Sequence, residues 1–337
     1  MNTTRIYKSD RIGMEMVHKL LAQEGLEFDQ NVEYTFAVMD GDNMAATGSF
    51  YKNTLRCLAV SSEYAGEGLM SLIVSELTAE LFRRQVNHVF IYTKKDAAKK
   101  FLPLGFYEIA ALQDVVFLEN RRNAFNDYLN SLGESKSNVN GAIVMNANPF
   151  TLGHRYLVEY ALSHCDNLHL FIVSEDISAF PRAVRETLVK KGTADLENIY
   201  YHPTEDYLVS SATFPSYFIK ESSKVTSAHA TLDSNVFVKI AKKLNITKRF
   251  VGEEPFSPAT ALYNQAMQKE LPKHGIEVTV IPRKKEESIG TISASLVRKY
   301  IAEGNINGTE LLLPKTSYEF LQSEEAKPII EKLQNKA

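Results

Sequence analysis

The sequence predicts an α/β fold in two parts, the second of which is a doubly wound parallel sheet. Three observations lead to this prediction. A chain of 337 residues is long enough for two domains. In the second part, short apolar segments alternate with helix-length segments. A stretch rich in Ser, Gly and Asn separates the two parts. We expect a first domain at residues 1–131, a linker at 132–140 and a second domain at 141–337.

Regular periodicity predicts the elements of the first part. Met14, Val17, Leu20 and Leu21 have the spacing of one helix face, and residues 40–43 (DGDN) have the composition of a hairpin turn. This pattern indicates an antiparallel meander that is completed by helices. The predicted helices are 11–24 and 69–84, and the predicted strands are 33–39, 45–51, 54–60 and 88–93.

The second part alternates strands with helices along its whole length. In doubly wound sheets, ligands bind beyond the carboxyl ends of the strands, so the residues of interest should directly follow strands. The predicted strands are 142–146, 168–173, 249–252 and 277–281. The predicted helices are 153–163, 183–191, 234–244, 259–271 and 293–303.

The overall composition excludes several classes of protein. Hydrophobic residues make up 44% of the chain and charged residues 23%, as in ordinary folded proteins. A net charge of −3 lacks the basic excess of a dedicated nucleic-acid-binding protein. No apolar run is long enough to span a membrane, and residues 1–10 lack the apolar core of a secretory signal. Cys57 and Cys165 are too few for a disulfide framework. We expect a cytoplasmic protein without a nucleic-acid or membrane partner and without a protein-bound metal.

Two segments of the second part have the character of phosphate-binding loops. Residues 146–154 (NANPFTLGH) connect a predicted strand to a helix, and residues 291–298 (TISASLVR) enter the last predicted helix of the sheet. Free N–H groups at a helix N-terminus attract anions, and an Arg one turn later can hold a phosphate through two hydrogen bonds. Taken singly, the first segment is equally compatible with an ordinary capped helix, and the second is more typical of a capped helix with a solvated Arg. Arg182 and Arg185 are further phosphate candidates.

Together, these segments resemble the HxGH nucleotidyltransferase superfamily. Residues 151–154 (TLGH) match its first motif, and residues 292–298 match its later Ser/Thr-rich loop. Residues 148–155, 210–218 and 251–257 further resemble the citrate lyase ligases. The resemblance implies an AMP-forming ligase that activates acetate with ATP and Mg²⁺. It also implies that the acetyl group is passed to the prosthetic thiol on the acyl-carrier subunit of citrate lyase.

The same resemblance implies the residues of the site. Those implied to be catalytic are Thr151, His154, Ser293 and Arg298. Those implied to bind the nucleotide are Asn146, Ala147, Asn148, Phe150, Gly153, Gly252, Glu253, Thr291, Ile292, Ala294 and Ser295. Two acids, Glu253 and Glu254, stand where some relatives carry a basic residue.

The first part resembles the GNAT acetyltransferases. Residues 58–60, the glycines at 66 and 68, and residues 101–106 (FLPLGF) are similar to that fold's splayed strand, phosphate loop and later Gly-Phe phrase. Ala65 and Met70 depart from its loop pattern, so the resemblance implies the fold and leaves open what the domain binds. Two alternatives for the whole chain also remain open. One is a nucleotidyltransferase that makes a dinucleotide cofactor, and the other is a nucleotide-sensing binding protein.

Overall fold

The computed structural model describes residues 1–112, 115–135, 137–213, 223–254, 257–288 and 290–335. Residues 214–218 and 255–256, which belong to two of the resembling segments, lie outside this description. The chain divides into two compact units, Met1–Asp127 and Tyr128–Ala337. The limits predicted from the sequence differ from this division by a few residues and stay a prediction.

The first unit is built around one twisted sheet of mixed direction. Among its described residues, seven strands lie in the order β1-β2-β3-β4-β5-β7-β6. The strands are β1 (Asn2–Ile6), β2 (Tyr34–Asp40), β3 (Asn43–Tyr51), β4 (Thr54–Val60), β5 (Phe90–Lys94), β6 (Tyr107–Ala111) and β7 (Val115–Glu119). The helices are α1 (Arg11–Gln23), α2 (Leu69–Arg83), α3 (Lys95–Ala98) and α4 (Ala124–Ser131), of which α4 continues into the second unit.

The predicted meander and the predicted splay are both confirmed in this unit. Strands β2, β3 and β4 pair antiparallel in succession, and residues 41–42 connect β2 to β3. Strand β4 is parallel to β5 and pairs with it only at Thr54 and Leu55, after which the two strands separate. Helix α2 follows this separation and buries Ile73, Leu77 and Leu81 against the sheet.

The second unit is a parallel sheet with helices on both faces, as the sequence predicts. Its five strands lie in the order β10-β9-β8-β11-β12 among the described residues. The strands of this unit are β8 (Asn140–Met145), β9 (Asn167–Ile172), β10 (Ile199–Pro203), β11 (Ile246–Gly252) and β12 (Glu277–Ile281), with a short hairpin of β13 (Lys285–Glu286) and β14 (Gly290–Thr291). The helices are α5 (Leu152–Leu162), α6 (Arg182–Gly192), α7 (Ser223–Lys243), α8 (Pro258–Glu270), α9 (Ala294–Ala302), α10 (Lys315–Leu321) and α11 (Lys327–Gln334).

Side chains alternate along the central strands and so show which residues lie on each face of the sheet. Ile143 of β8 and Leu170 of β9 belong to an apolar core shared with α5, α6 and α9. Phe171 and Arg249 point to the opposite face, where both contact Phe237 of α7. Because the order of strands reverses beside β8, the loop after β8 lies where doubly wound sheets bind ligands.

The segment predicted as a linker is packed into the second unit. Leu132 and Ser135 are buried, and the Ser135 hydroxyl donates to Asn140 Oδ1 at 2.7 Å. The Asn140 side-chain amide donates to the carbonyls of Leu244 and Asn245 at 3.1 and 3.2 Å. Asn140 therefore fixes the start of β8 to the start of β11, and β8 begins two residues earlier than predicted.

No helix among the described residues is long and apolar enough to cross a membrane.

Candidate functional site

A cavity of about 630 Å³ opens at the carboxyl ends of β8, β11 and β12. It brings together most of the residues that the sequence singled out, although they come from three separate segments of the chain. The predicted residues that line it are Asn146, Ala147, Asn148, Thr151, Gly153, His154, Gly252, Glu253, Ile292, Ser293, Ala294, Ser295 and Arg298.

Phe150 and Thr291 are the two predicted site residues that do not line this cavity. Phe150 is fully buried in the core of the second unit, and its ring lies 5.8 Å from the His154 ring. Because the Phe150 ring is enclosed by other core side chains, it has no exposed surface with which to contact a nucleotide. Its burial stabilises the fold instead. Thr291 lies in β14, where it pairs with Lys285. The predicted nucleotide contacts of these two residues are therefore not supported by their positions.

Thr151 and His154 form a reciprocal cap at the start of α5. The backbone N–H of Thr151 donates to His154 Nδ1 at 3.1 Å, and the Thr151 hydroxyl lies 2.9 Å from the same nitrogen. The Thr151 hydroxyl oxygen also accepts from the backbone N–H of His154 at 3.4 Å. The Thr151 side chain is thus engaged in holding the imidazole, in the pattern of a capping box.

This cap fixes the tautomer of His154. Because Nδ1 accepts the Thr151 N–H, it carries no proton in the neutral ring, and the proton lies on Nε2. Burial, reinforced by the positive charges of Arg283 and Arg298, lowers the pKa of His154 to about 4. The imidazole that lines the cavity is therefore neutral near pH 7 and has an Nε2–H group to donate.

Ser293 and Arg298 build the second wall of the cavity at the start of α9. The Ser293 hydroxyl oxygen accepts from the backbone N–H of Leu296 at 3.1 Å, as an N-cap does. The Arg298 guanidinium donates to the Asn148 carbonyl and, at 3.0 Å, to the Ser295 hydroxyl. Arg298 thereby joins the loop after β8 to the loop before α9.

Gly153 lets the two loops approach each other closely. A Cβ atom at this position would lie 3.3 Å from the carbonyl oxygen of Ile292, which is tighter than an ordinary contact. The start of α5 therefore lies directly against the loop that precedes α9. The motif has a glycine at this position because the backbone of the other loop leaves little room for a side chain.

Arg185 holds the loop after β8 from beneath. The side chain is completely buried and donates to the carbonyls of Phe180, Asn146, Val173 and Glu175 at 2.6 to 3.1 Å. Arg182 pairs with Glu186 and Glu205 at the surface. Neither arginine lines the cavity, so their positions do not support the phosphate contacts suggested from the sequence.

Sequence reasoning missed two cations at the mouth of the cavity. Arg283 and Lys284 follow β12 and line the cavity beside Arg298. The Arg283 side chain donates to the Glu253 carbonyl at 2.8 Å and pairs with the Glu254 carboxylate at 2.6 Å. Glu254 thus orients the Arg283 guanidinium. This pairing explains how Glu253 and Glu254 can lie beside a site for an anion. The run of basic residues at 283–285, directly after a strand, was the available sequence signal.

We expect Arg185→Lys to lower the free energy of unfolding by about 3 kcal/mol or more, because a lysine leaves several buried carbonyls without a donor. Arg182→Lys is the matched control, since it alters a half-exposed ion pair worth at most about 1 kcal/mol. Urea unfolding of the full chain measures both changes. Equal losses for the two variants would contradict the role given to Arg185.

We also expect the folded protein to show no protonation of His154 between pH 8 and pH 5.5. Its folded pKa of about 4 lies below the ordinary value of 6.5. The stability that it contributes is therefore complete above about pH 6.5 and is lost as the pH falls toward about 4. The ring ¹³C signal, assigned with His154→Gln, measures the titration, and the same signal in concentrated urea is the control. A step near pH 6.5 in the folded protein would contradict the expectation.

Comparisons with known proteins match the second unit and nearly the whole chain. Residues 140–321 match the family described as the citrate lyase ligase C-terminal domain. The citrate (pro-3S)-lyase ligase of Escherichia coli K12 is 38% identical over 95% of this chain and 93% of its own length. The corresponding ligase of Haemophilus influenzae is 38% identical over 92% of this chain and 95% of its own.

Solved structures match a smaller part of the chain. They include the ribosomal-protein-S18-alanine N-acetyltransferase from Escherichia coli, with 16% identity, a TM-score of 0.30, and coverage of 35% of this chain and 91% of that one. The family assignment therefore depends on the curated ligases and on the matched C-terminal domain, which contains both loops of the cavity. The chain belongs to the citrate lyase ligase family.

Proposed function

We propose that this protein is an AMP-forming acid–thiol ligase that acetylates the prosthetic thiol on the acyl-carrier subunit of citrate lyase. The observation that carries the proposal is the convergence of two helix N-termini, His154 and Arg298 on one cavity, in a chain of the ligase family. We place the reaction in the cytoplasm, in keeping with the cysteine content.

The phosphates of ATP lie between the starts of α5 and α9 in this proposal. Helix N-termini supply N–H donors and a positive electrostatic potential. His154 donates Nε2–H to the α- or β-phosphate, and Thr151 positions the ring. Arg298, with Ser293 and the amides of residues 293–295, holds the β- and γ-phosphates.

The ribose and adenine extend toward the end of β11 in this proposal. Gly252 and Glu253 line the cavity there, and an added Cβ at Gly252 would meet nothing within 4 Å. The open space beside Gly252 suits a planar base that lies along the backbone.

The first chemical step forms acetyl-adenylate. A carboxylate oxygen of acetate attacks the α-phosphorus, a new P–O bond forms, and the bond to the pyrophosphate oxygen breaks. This reaction requires alignment of the two reactants and compensation of the growing negative charge, and it needs no nucleophile from the protein. The neutral His154 and the cationic Arg298, Arg283 and Lys284 provide donors at the leaving pyrophosphate.

The second step transfers the acetyl group. The deprotonated prosthetic thiol attacks the acetyl carbonyl carbon, a C–S bond forms, and the C–O bond to AMP breaks. AMP leaves with its phosphate oxygen charged, so the same donors can stabilise it. The products are AMP and the acetylated carrier.

In this proposal Mg²⁺ would be held by the phosphates of ATP rather than by a set of protein ligands. Within the described ranges, no group of three His, Cys, Asp or Glu side chains is arranged to hold a metal ion. The cationic lining instead suits polyphosphate oxygens, which supply ligands for Mg²⁺ themselves. When bound, Mg²⁺ neutralises charge on the leaving pyrophosphate.

The proposal is tested by exchange of labelled pyrophosphate into ATP. We expect exchange that depends on acetate and Mg²⁺, together with AMP formation once deacetylated citrate lyase is added. Reactions without acetate are the control. Exchange without the carrier is not decisive, because adenylation can require the bound carrier. The decisive measurement is AMP production with ATP, acetate, Mg²⁺ and the deacetylated carrier together. Absence of AMP in that mixture would overturn the proposal.

The roles of individual donors are tested by substitution. We expect His154→Ala and Arg298→Ala each to slow the ligase by about 10²–10³-fold, as found for the loss of one donor to developing charge. Lys299→Ala is the matched control, because this neighbour of Arg298 is exposed and pairs only loosely with Glu303. Steady-state turnover of folded variants, checked by thermal unfolding, measures the effect. A normal kcat for His154→Ala would contradict its role.

A further inference from the structure

The cavity contains a buried arginine that the proposed nucleotide contacts do not use. Arg249 lies on β11, is only 2% exposed and lines the cavity on the face of the sheet covered by α7 and α8. In the part of the chain that the structure describes, its Nε and Nη1 atoms are buried and make no hydrogen bond. Its guanidinium carbon lies 4.7 Å from the centre of the Phe237 ring.

The buried carboxylate of Asp233 satisfies this guanidinium only in part. Asp233 is completely buried, and its Oδ1 accepts from the backbone N–H of Val209 at 2.7 Å. Its Oδ2 accepts from the Tyr263 hydroxyl at 2.6 Å. The Arg249 guanidinium donates to the Tyr263 hydroxyl, which links it to Asp233. The buried Nε and Nη1 atoms make no hydrogen bond and keep their capacity to bind an anion.

The walls around Arg249 are mainly apolar. Val144 of β8 and Val251 of β11 lie on the same face of the sheet as Arg249, because Arg249 is paired in register with Ala142. Met267 of α8 lines the cavity opposite them. A group that enters this part of the cavity meets the guanidinium, the side chain of Tyr263 and a short aliphatic surface.

We propose that Arg249 and these walls form the acyl-substrate subsite, in which the guanidinium binds the carboxylate of a short monocarboxylic acid. This inference deepens the proposed ligase function and rests on it, and the acid in that function is acetate. The planar guanidinium can donate to both carboxylate oxygens, while the alkyl end of the acid contacts Val144 and Met267.

The energetics favour this occupant. A buried charge with unsatisfied N–H groups is costly, so this site gains free energy when an anion of matching geometry enters. A phosphate would also satisfy the charge but would place its remaining charged oxygens against valine and methionine side chains. A monocarboxylate has only two oxygens, and the remainder of the molecule is apolar.

The test uses the full chain and the acetate-dependent pyrophosphate exchange. We expect Arg249→Lys and Arg249→Met to raise the KM for acetate by at least about 30-fold and to change the KM for ATP by less than about threefold. Arg182→Lys, an ion-paired arginine of the same unit that does not line the cavity, is the control. An unchanged KM for acetate, or a larger change in the KM for ATP, would overturn the subsite.

A second variant covers the possibility that Arg249 variants do not fold. Val144→Ala enlarges the apolar end and leaves the guanidinium in place. We expect the ratio of kcat/KM for propionate to that for acetate to rise by roughly tenfold, the scale of one methylene in an apolar pocket. An unchanged ratio would contradict the position of the alkyl end.

Failure of the subsite is distinguishable from failure of the ligase function. If the wild-type protein makes no AMP with acetate, ATP and the deacetylated carrier, the function itself is wrong. Direct binding of ¹³C-acetate, followed by NMR in the wild type and in Arg249→Lys, then tests the subsite without any turnover. Equal acetate affinity in the two proteins would overturn it.

Discussion

The site depends on how the chain turns after the central strand β8. Two arginines from distant parts of the sequence bind carbonyl oxygens of this turn: Arg185 binds that of Asn146, and Arg298 binds that of Asn148. The Asn148 side chain also accepts from the backbone N–H of Phe180 at 3.0 Å. Peptide carbonyls at this position would otherwise compete with a ligand for the N–H donors of α5. Their engagement removes this competition.

The sequence predicted much of this arrangement because its strongest patterns are local. The hairpin at residues 41–42 and the alternation of strands and helices depend on neighbours within a few residues. The caps that the structure shows at Thr151 and Ser293 are equally local. Such features follow from turn chemistry and periodicity. The grouping of the two phosphate loops came from their resemblance to a family, since local pattern alone could not bring residues 150 apart into contact.

The features that could not be predicted involve buried polar groups with distant partners. Strand β10 was missed because its sequence, IYYHP, lacks an apolar alternation, and His202 is buried there against His169 at 2.9 Å. Arg185 is a phosphate candidate in the sequence because it follows a predicted strand. Its actual partners are main-chain carbonyls, which leave no trace in the sequence. Arg249 was overlooked for the same reason, since a lone charge inside a strand has no motif.

The close approach of Gly153 to the Ile292 carbonyl has an evolutionary consequence. The two motifs are separated by more than a hundred residues, yet a side chain at position 153 would press on the backbone of the other loop. A larger residue at position 153 requires a shift of the other loop, so we expect the two loops to diverge together among descendants. If either loop alone is transplanted into an unrelated parallel-sheet protein, we expect it to adopt a different conformation, because the backbone against which it packs is missing.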